Sequence, residues 1–206
     1  MVSPTSTGLL LLSNALTAIL ALVLRWPIET LLWPYWIQSV IIGWYSARRM
    51  LSLRQFSTEG LTVNDRPVPE TVGAQRGMVA FFALHYGFFH AGYLGFLVGR
   101  TGDLSHWDWI AFAVMAVSFV TSHGTSFRQN LEADARGRPN LGTLMFLPYA
   151  RIVPMHLMIL FGTATMANEG WHAVLLFSVL KTGADVVMHH VEHRVLQRQP
   201  SVTVQP

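Results

Sequence analysis

Six long apolar runs constrain this chain more than any other feature. A bilayer core is about 30 Å thick, and a helix crosses it with about 20 apolar residues. Runs of that order lie at about Gly8–Leu24, Ile28–Tyr45, Gly77–Val98, Trp107–Ser126, Leu144–Ala167 and Trp171–Val195. Only 12% of the residues are charged while 51% are hydrophobic. A soluble domain carries about 25% charge, so this chain has too little to cover a water-exposed surface. The expected fold is all-α: a single transmembrane domain over residues 1–206, built as a polytopic six-transmembrane-helix bundle. Pro34, Pro148 and Pro154 are expected to kink or start helices, which neighbouring helices in a membrane tolerate. The first run lacks a basic leader, and Arg25-Trp26-Pro27 follows it in place of a small-residue cleavage site. It reads as a retained helix rather than a signal peptide.

The basic residues orient the bundle. Thirteen of the fourteen are Arg, mostly beside apolar runs, so the net charge of +3 reads as membrane anchoring and not as a nucleic-acid groove. Arg48, Arg49, Arg54, Arg66, Arg76, Arg128, Arg136, Arg138, Arg194 and Arg198 fall in the loops after runs two and four and in the tail, and only Arg25 and Arg100 fall on the opposite side. Positively charged loops stay cytoplasmic, which puts both termini in the cytoplasm. Trp26, Trp33, Trp36, Trp107, Trp109 and Trp171 gather near the outer ends of the runs, as an interfacial aromatic belt does. In the longest loop, Ser46 to Gln75, Asn64-Asp65 followed by Pro67 and Pro69 reads as a turn and then an extended segment. Met50 to Phe56 is expected to lie on the membrane surface. Glu132, Asp134, Arg136 and Arg138 read as a solvated loop.

Nine His and no Cys turn attention to imidazole and carboxylate chemistry. Ionisable groups inside a bilayer are rare and usually functional. Here they include His85 and His90 in run three, His123 in run four and His156 in run five. Run six holds Lys181, Asp185, His189, His190, Glu192 and His193. Asp185, His189 and His193 recur every four residues, a step of about 400° on a helix, so they form one stripe that Glu192 flanks. Carboxylate and imidazole are ligands for Zn²⁺ or Fe²⁺. Counted from the nearest Arg, His85 and Asp185 lie about 13 Å deep and His123 and His189 about 7 Å deep. Those depths put four polar groups in the cytoplasmic half. His85, His123, His156, Asp185, His189 and His193 are therefore the candidate metal ligands, more than one Zn²⁺ takes, which makes two ions plausible. Glu192 is the candidate general base or tautomer-fixing partner. His90 points elsewhere and reads as a cavity or interface residue. His106 and His172, at outer helix ends, read as interfacial.

The run-six stripe resembles the last-helix pattern of the alkaline ceramidase and adiponectin receptor superfamily. Its members hold zinc near the cytoplasmic face with several His and an Asp, and hydrolyse lipid amides. That family has seven core helices, and its Asp comes from a different helix, so the likeness covers a site of about ten residues. Over its whole length the chain resembles a family of small bacterial membrane proteins known as a domain of unknown function. The shared features are six spans and the segments His85-Tyr86-Gly87, Ser122-His123-Gly124 and Asp185 to His193. The resemblance implies a bacterial cytoplasmic membrane and a homo-oligomeric metalloenzyme, a trimer with a two-zinc site.

The leading expectation is a membrane-embedded, zinc-dependent hydrolase acting on a lipid-like or amphipathic ester or amide. The ion would lower the pKa of a bound water and polarise the carbonyl. A di-iron membrane oxygenase is the alternative enzyme, with His189-His190-Val191-Glu192-His193 as its one clustered box. A proton-coupled or metal transporter is the alternative outside catalysis, with Lys181, Asp185 and the histidines as a relay. A structural metal protein is a further one. Topology is directly testable. A reporter fused after Pro206 should read cytoplasmic and one placed between Thr101 and Ser105 periplasmic; the reverse pattern contradicts the six-span orientation.

Overall fold

The structure is a computed structural model and describes residues 4–157, 175 and 178–187. Five helices are delimited: α1 (Pro4–Val23), α2 (Ile28–Ser52), α3 (Val72–Arg100), α4 (His106–Asp134) and α5 (Leu141–Leu157). Residues 178–187 form a sixth helical segment, α6. The class is all-α, and the only strands among the described residues are a two-residue pair in the α2–α3 loop.

Local chemistry explains where the helices stop and start. α1 ends with Arg25 in the left-handed region at φ 50°. There the Trp26 N–H donates to the Ala21 carbonyl and the Arg25 N–H to that of Leu22. This is a Schellman closure, usually built on glycine. Pro27 then opens α2 from an extended conformation. The Thr71 hydroxyl caps α3 by accepting from the Ala74 N–H. Ser105 and Asp108 cap α4 reciprocally, the capping-box arrangement. The Asn140 side chain accepts from the Thr143 N–H at the start of α5.

α2 is the hub of the described bundle and packs on α3, α4 and α5, while α1 packs on α4. Its polar residues Thr30, Gln38 and Ser39 are buried along with its apolar ones. Gly43 lets α3 approach closely: a Cβ there would stand 2.5 Å from the Tyr86 ring. The Tyr86 hydroxyl donates to the Ser39 carbonyl across the same contact. α3 and α4 are each long and apolar enough to cross a membrane. Their most apolar windows are only 22% and 39% buried, and Leu84, Phe88, Val98 and Val117 stand exposed.

Several expectations need correction. α2 does not end at Tyr45 but continues to Ser52. Within the segment Met50 to Phe56, Met50, Leu53 and Phe56 are buried in the core, while Leu51 and Arg54 are exposed. Trp26, Trp33 and Trp36 are tied to neighbouring elements. Their indole N–H groups donate to Asp108, to the Thr101 hydroxyl and to the His90 carbonyl. Trp107 and Trp109 do stand exposed. Pro34 lies inside α2, and Pro148 and Pro154 inside α5. Asn64 and Asp65, at φ 51° and 60°, form the expected turn. Positive φ at both central positions suits a tight hairpin, here Thr62–Val63 against Arg66–Pro67.

Asp134 is withdrawn from solvent, whereas Arg138 is exposed in the loop as expected. Arg138 pairs with Glu70 and donates to the Phe56 carbonyl. Asp134 ends α4 and receives Arg49 Nε at 2.7 Å and Nη2 at 2.9 Å, with both side chains 6% exposed. Glu132 and Arg136 are exposed as expected. Removing one member of a buried pair leaves the other charge without compensation and costs about 3–5 kcal/mol, whereas an apolar replacement of both is often neutral. In detergent-solubilised protein, Arg49→Leu and Asp134→Leu should each be strongly destabilising, and the double variant should recover most of the loss. Single-variant losses below about 1 kcal/mol, the range of an exposed pair, would contradict this.

Candidate functional site

The deepest polar feature of the described residues is built on four side chains from three helices. Asp185 and Lys181, one turn apart on α6, are each 1% exposed, and Lys181 Nζ donates to Asp185 Oδ1 at 2.6 Å. Asn14 Nδ2 on α1 donates to Asp185 Oδ2 at 3.1 Å. Gln38 Nε2 on α2 approaches the same oxygen at 3.5 Å, the outer limit of a hydrogen bond. Asn14 and Gln38 are likewise 1% exposed. Asn14 stands midway along the 20 residues of α1, and Gln38 near the middle of the 25 of α2.

The surroundings extend the polarity. Lys181 Nζ stands 5.4 Å from the centroid of the Tyr35 ring, within the range of a cation–π attraction. Arg151, buried on α5, lies within electrostatic reach of both Lys181 and Asp185. On α1, Ser13 and Thr17 flank Asn14 and are buried with it; their hydroxyls donate to carbonyls one turn back. The Ser118 hydroxyl of α4 donates to that of Ser13 at 2.9 Å.

The network is rich in acceptors. The amide nitrogens of Asn14 and Gln38 face the carboxylate, which fixes the amide orientation, since a carbonyl there would meet negative charge. Their oxygens, Asn14 Oδ1 and Gln38 Oε1, are thereby turned to places where no hydrogen-bond donor stands among the described residues. A buried acceptor left without a donor costs about 1–3 kcal/mol, and here two flank one carboxylate.

The histidines distribute differently. His85 is exposed on α3, and its Nδ1 lies 2.8 Å from the Tyr149 hydroxyl of α5. His156 Nδ1 lies 2.6 Å from the Tyr93 hydroxyl. His90 is buried, as its reading as a cavity or interface residue anticipates. It stacks on Tyr86 with ring centroids 4.2 Å apart, and its Nδ1 lies 2.8 Å from the Tyr86 carbonyl. His123 lines a cavity of about 60 Å³ between α2, α4 and α5, with Tyr45, Arg49, Ser126, Asn130 and Arg151. His106 opens α4 and is exposed.

Among the described residues no three His, Asp or Glu come together as a metal site. The structure thus does not gather His85, His123, His156 and Asp185, and the carboxylate of Asp185 faces an ammonium instead. His189, His190, Glu192 and His193, and with them most of the stripe, lie outside the described residues, as do Trp171 and His172. Asn14, Gln38, Tyr35 and Arg151 were not candidates from sequence. The available signal was an uncharged amide in the middle of each of the first two apolar runs.

A family of unknown function (DUF6498) matches residues 3–201. No curated protein and no solved structure matches the chain.

Proposed function

The chain belongs to this family of unknown function, and we propose that it is an integral membrane, proton-coupled transporter whose coupling centre is the Lys181–Asp185 pair. The carrying observation is that pair itself: two opposite charges, each 1% exposed, joined at 2.6 Å and held at mid-helix by amides from α1 and α2. Charged side chains cost about 2.5–3.5 kcal/mol each at the centre of a membrane helix. A buried ion pair is also commonly no more stabilising than an apolar pair of equal volume. Its presence is best explained by a job that needs charge.

The membrane reading is supported by the exposed apolar faces of α3 and α4, which suit lipid and not water, and by the asymmetric placement of Arg. We place six spans in a cytoplasmic membrane on that basis. The mechanism follows from the pair. With both groups charged, the site is neutral and closed on itself. Transfer of a proton from Lys181 to Asp185 dissolves the ion pair without changing net charge. It also weakens the hold of Asn14 on α1 and Gln38 on α2, since a neutral carboxyl accepts hydrogen bonds less strongly than a carboxylate.

A second reading keeps the zinc-dependent hydrolase of ester or amide lipids. It is favoured by His123, which lines the cavity between α2, α4 and α5 at about the depth reckoned for His189. In that reading His123, His189 and His193 would hold the ion, with Glu192 as general base. Lys181 would neutralise Asp185, which would then support the ligands without binding the ion. His85 and His156, each bonded to a tyrosine, and a di-iron or trimeric centre have no separate observation in their favour.

Reconstitution separates the two. In liposomes loaded with a pH-reporting dye, the wild type should move protons under an imposed cation gradient, and Asp185→Asn, which keeps shape and hydrogen bonding, should abolish the movement. Proton flux in Asp185→Asn equal to wild type would overturn the transport reading. A purified protein carrying stoichiometric zinc, cleaving a long-chain ester and moving no protons, would replace it with the hydrolase.

A further inference from the structure

We propose that Asp185, Asn14, Gln38 and Tyr35 form a seat for a small monovalent cation, and that the ammonium of Lys181 is its tethered occupant. The inference rests on the transport reading only for its purpose, the identity of the cargo; the seat itself is argued from contacts.

Four groups at the Lys181–Asp185 pair bear on the recognition of a single positive charge. The carboxylate of Asp185 supplies the compensating charge at 2.6 Å. The Tyr35 ring centroid lies at 5.4 Å, and an aromatic face attracts ammonium and alkali cations by its quadrupole. Asn14 and Gln38 each bring an amide against Asp185 Oδ2, and each keeps a buried carbonyl oxygen with no donor among the described residues. Hard cations take oxygen ligands of this kind, carboxylate and amide carbonyl together. An anion has nothing to gain from two orphaned acceptors beside a carboxylate.

The amides give the seat two settings. While Lys181 occupies it, the amide N–H groups face the carboxylate and the carbonyls stand idle. With a free cation at Asp185, rotation of either amide by about 180° presents its carbonyl to the ion and ends its status as an unpaired acceptor. The carboxylate carries a single negative charge, so holding the ammonium and the ion together would leave one buried positive charge uncompensated, and binding of one disfavours the other. Arg151, within electrostatic reach of Asp185, opposes a second positive charge and keeps the affinity low, as a site that must release its cargo requires.

One seat suits two chemistries, a sodium-like ion and a primary ammonium, and the experiment separates them. Lys181→Ala removes the tethered occupant and opens its space. Lys181→Met fills that space with an uncharged chain, keeps the packing and leaves the head-group position vacant. In detergent at constant ionic strength, replacing N-methylglucamine by sodium or by methylammonium should raise the melting temperature of these variants. The expected rise is about 4 °C, the shift that roughly tenfold saturation produces in a chain of this size. Sodium acting alone on both variants identifies an alkali-metal seat. Methylammonium acting on Lys181→Ala but not on Lys181→Met identifies a primary-ammonium seat. The effect should vanish when Asp185→Asn is added and shrink with Asn14→Leu. Melting that ignores cation identity in both lysine variants overturns the proposal, whatever the liposomes show. Stabilisation by a cation in a protein that moves no protons would leave the seat standing and remove the transport reading.

Discussion

An ammonium and a carboxylate 2.6 Å apart, both withdrawn from solvent, set the terms for the rest of this bundle. Taking two such charges out of water costs several kcal/mol per ion even after relaxation, so the surroundings must return part of it. They do so with the amides of Asn14 and Gln38 on the carboxylate and the Tyr35 ring facing the ammonium. This ties α6 to α1 and α2 by polar contacts placed at mid-helix. Helices packed in lipid lack the hydrophobic drive that assembles a soluble core, and interhelical hydrogen bonds of this kind contribute to their association. The Ser13–Ser118 bond between α1 and α4 has the same character.

A second buried pair, Arg49 with Asp134, does a different job. It lies at the arginine-rich end of the bundle, joins the last turns of α2 and α4, and is bidentate. An Arg fork on a carboxylate is rigid and stays charged. It anchors the loops beneath, where Ser57 pairs with Asn140 and Arg138 reaches Glu70. The central pair uses Lys181, the chain's only lysine, and lysine can give up its proton when buried. The chain thus places arginine where charge must be permanent and its one lysine where charge can change.

How much of this the residues announced varies with the range of the interaction. Apolar runs mark helices through local composition, and α1, α2, α3 and α4 overlap their expected spans with extensions at the ends. Those extensions, to Ser52 in α2 and to Asp134 in α4, depend on tertiary burial of Met50 and pairing of Asp134, which no local pattern reveals. The Asn64-Asp65 turn was legible because positive φ is a property of those residues. The i,i+4 spacing of Lys181 and Asp185 was equally visible: the metal reading assigned Asp185 to the histidines that follow it, and only the relay alternative joined it to the lysine one turn before. Asn14 and Gln38 escaped notice because an uncharged amide in an apolar run looks like a tolerated exception until a carboxylate from another helix meets it. Counting residues from the nearest Arg says nothing about rotation about the helix axis, and His85 stands exposed with its Nδ1 against the Tyr149 hydroxyl.

The state of Lys181 is directly readable, because it is the sole lysine of the chain. Protein grown with ¹⁵N- and ¹³C-labelled lysine should give one side-chain resonance from the chain in detergent or lipid. A buried Lys181–Asp185 pair should give an ammonium protected from solvent exchange, with shifts displaced from those of a free lysine, and Asp185→Asn should move that resonance and remove the protection. A rapidly exchanging signal at the position of an exposed lysine, unchanged by Asp185→Asn, would contradict the buried pair and everything built on it.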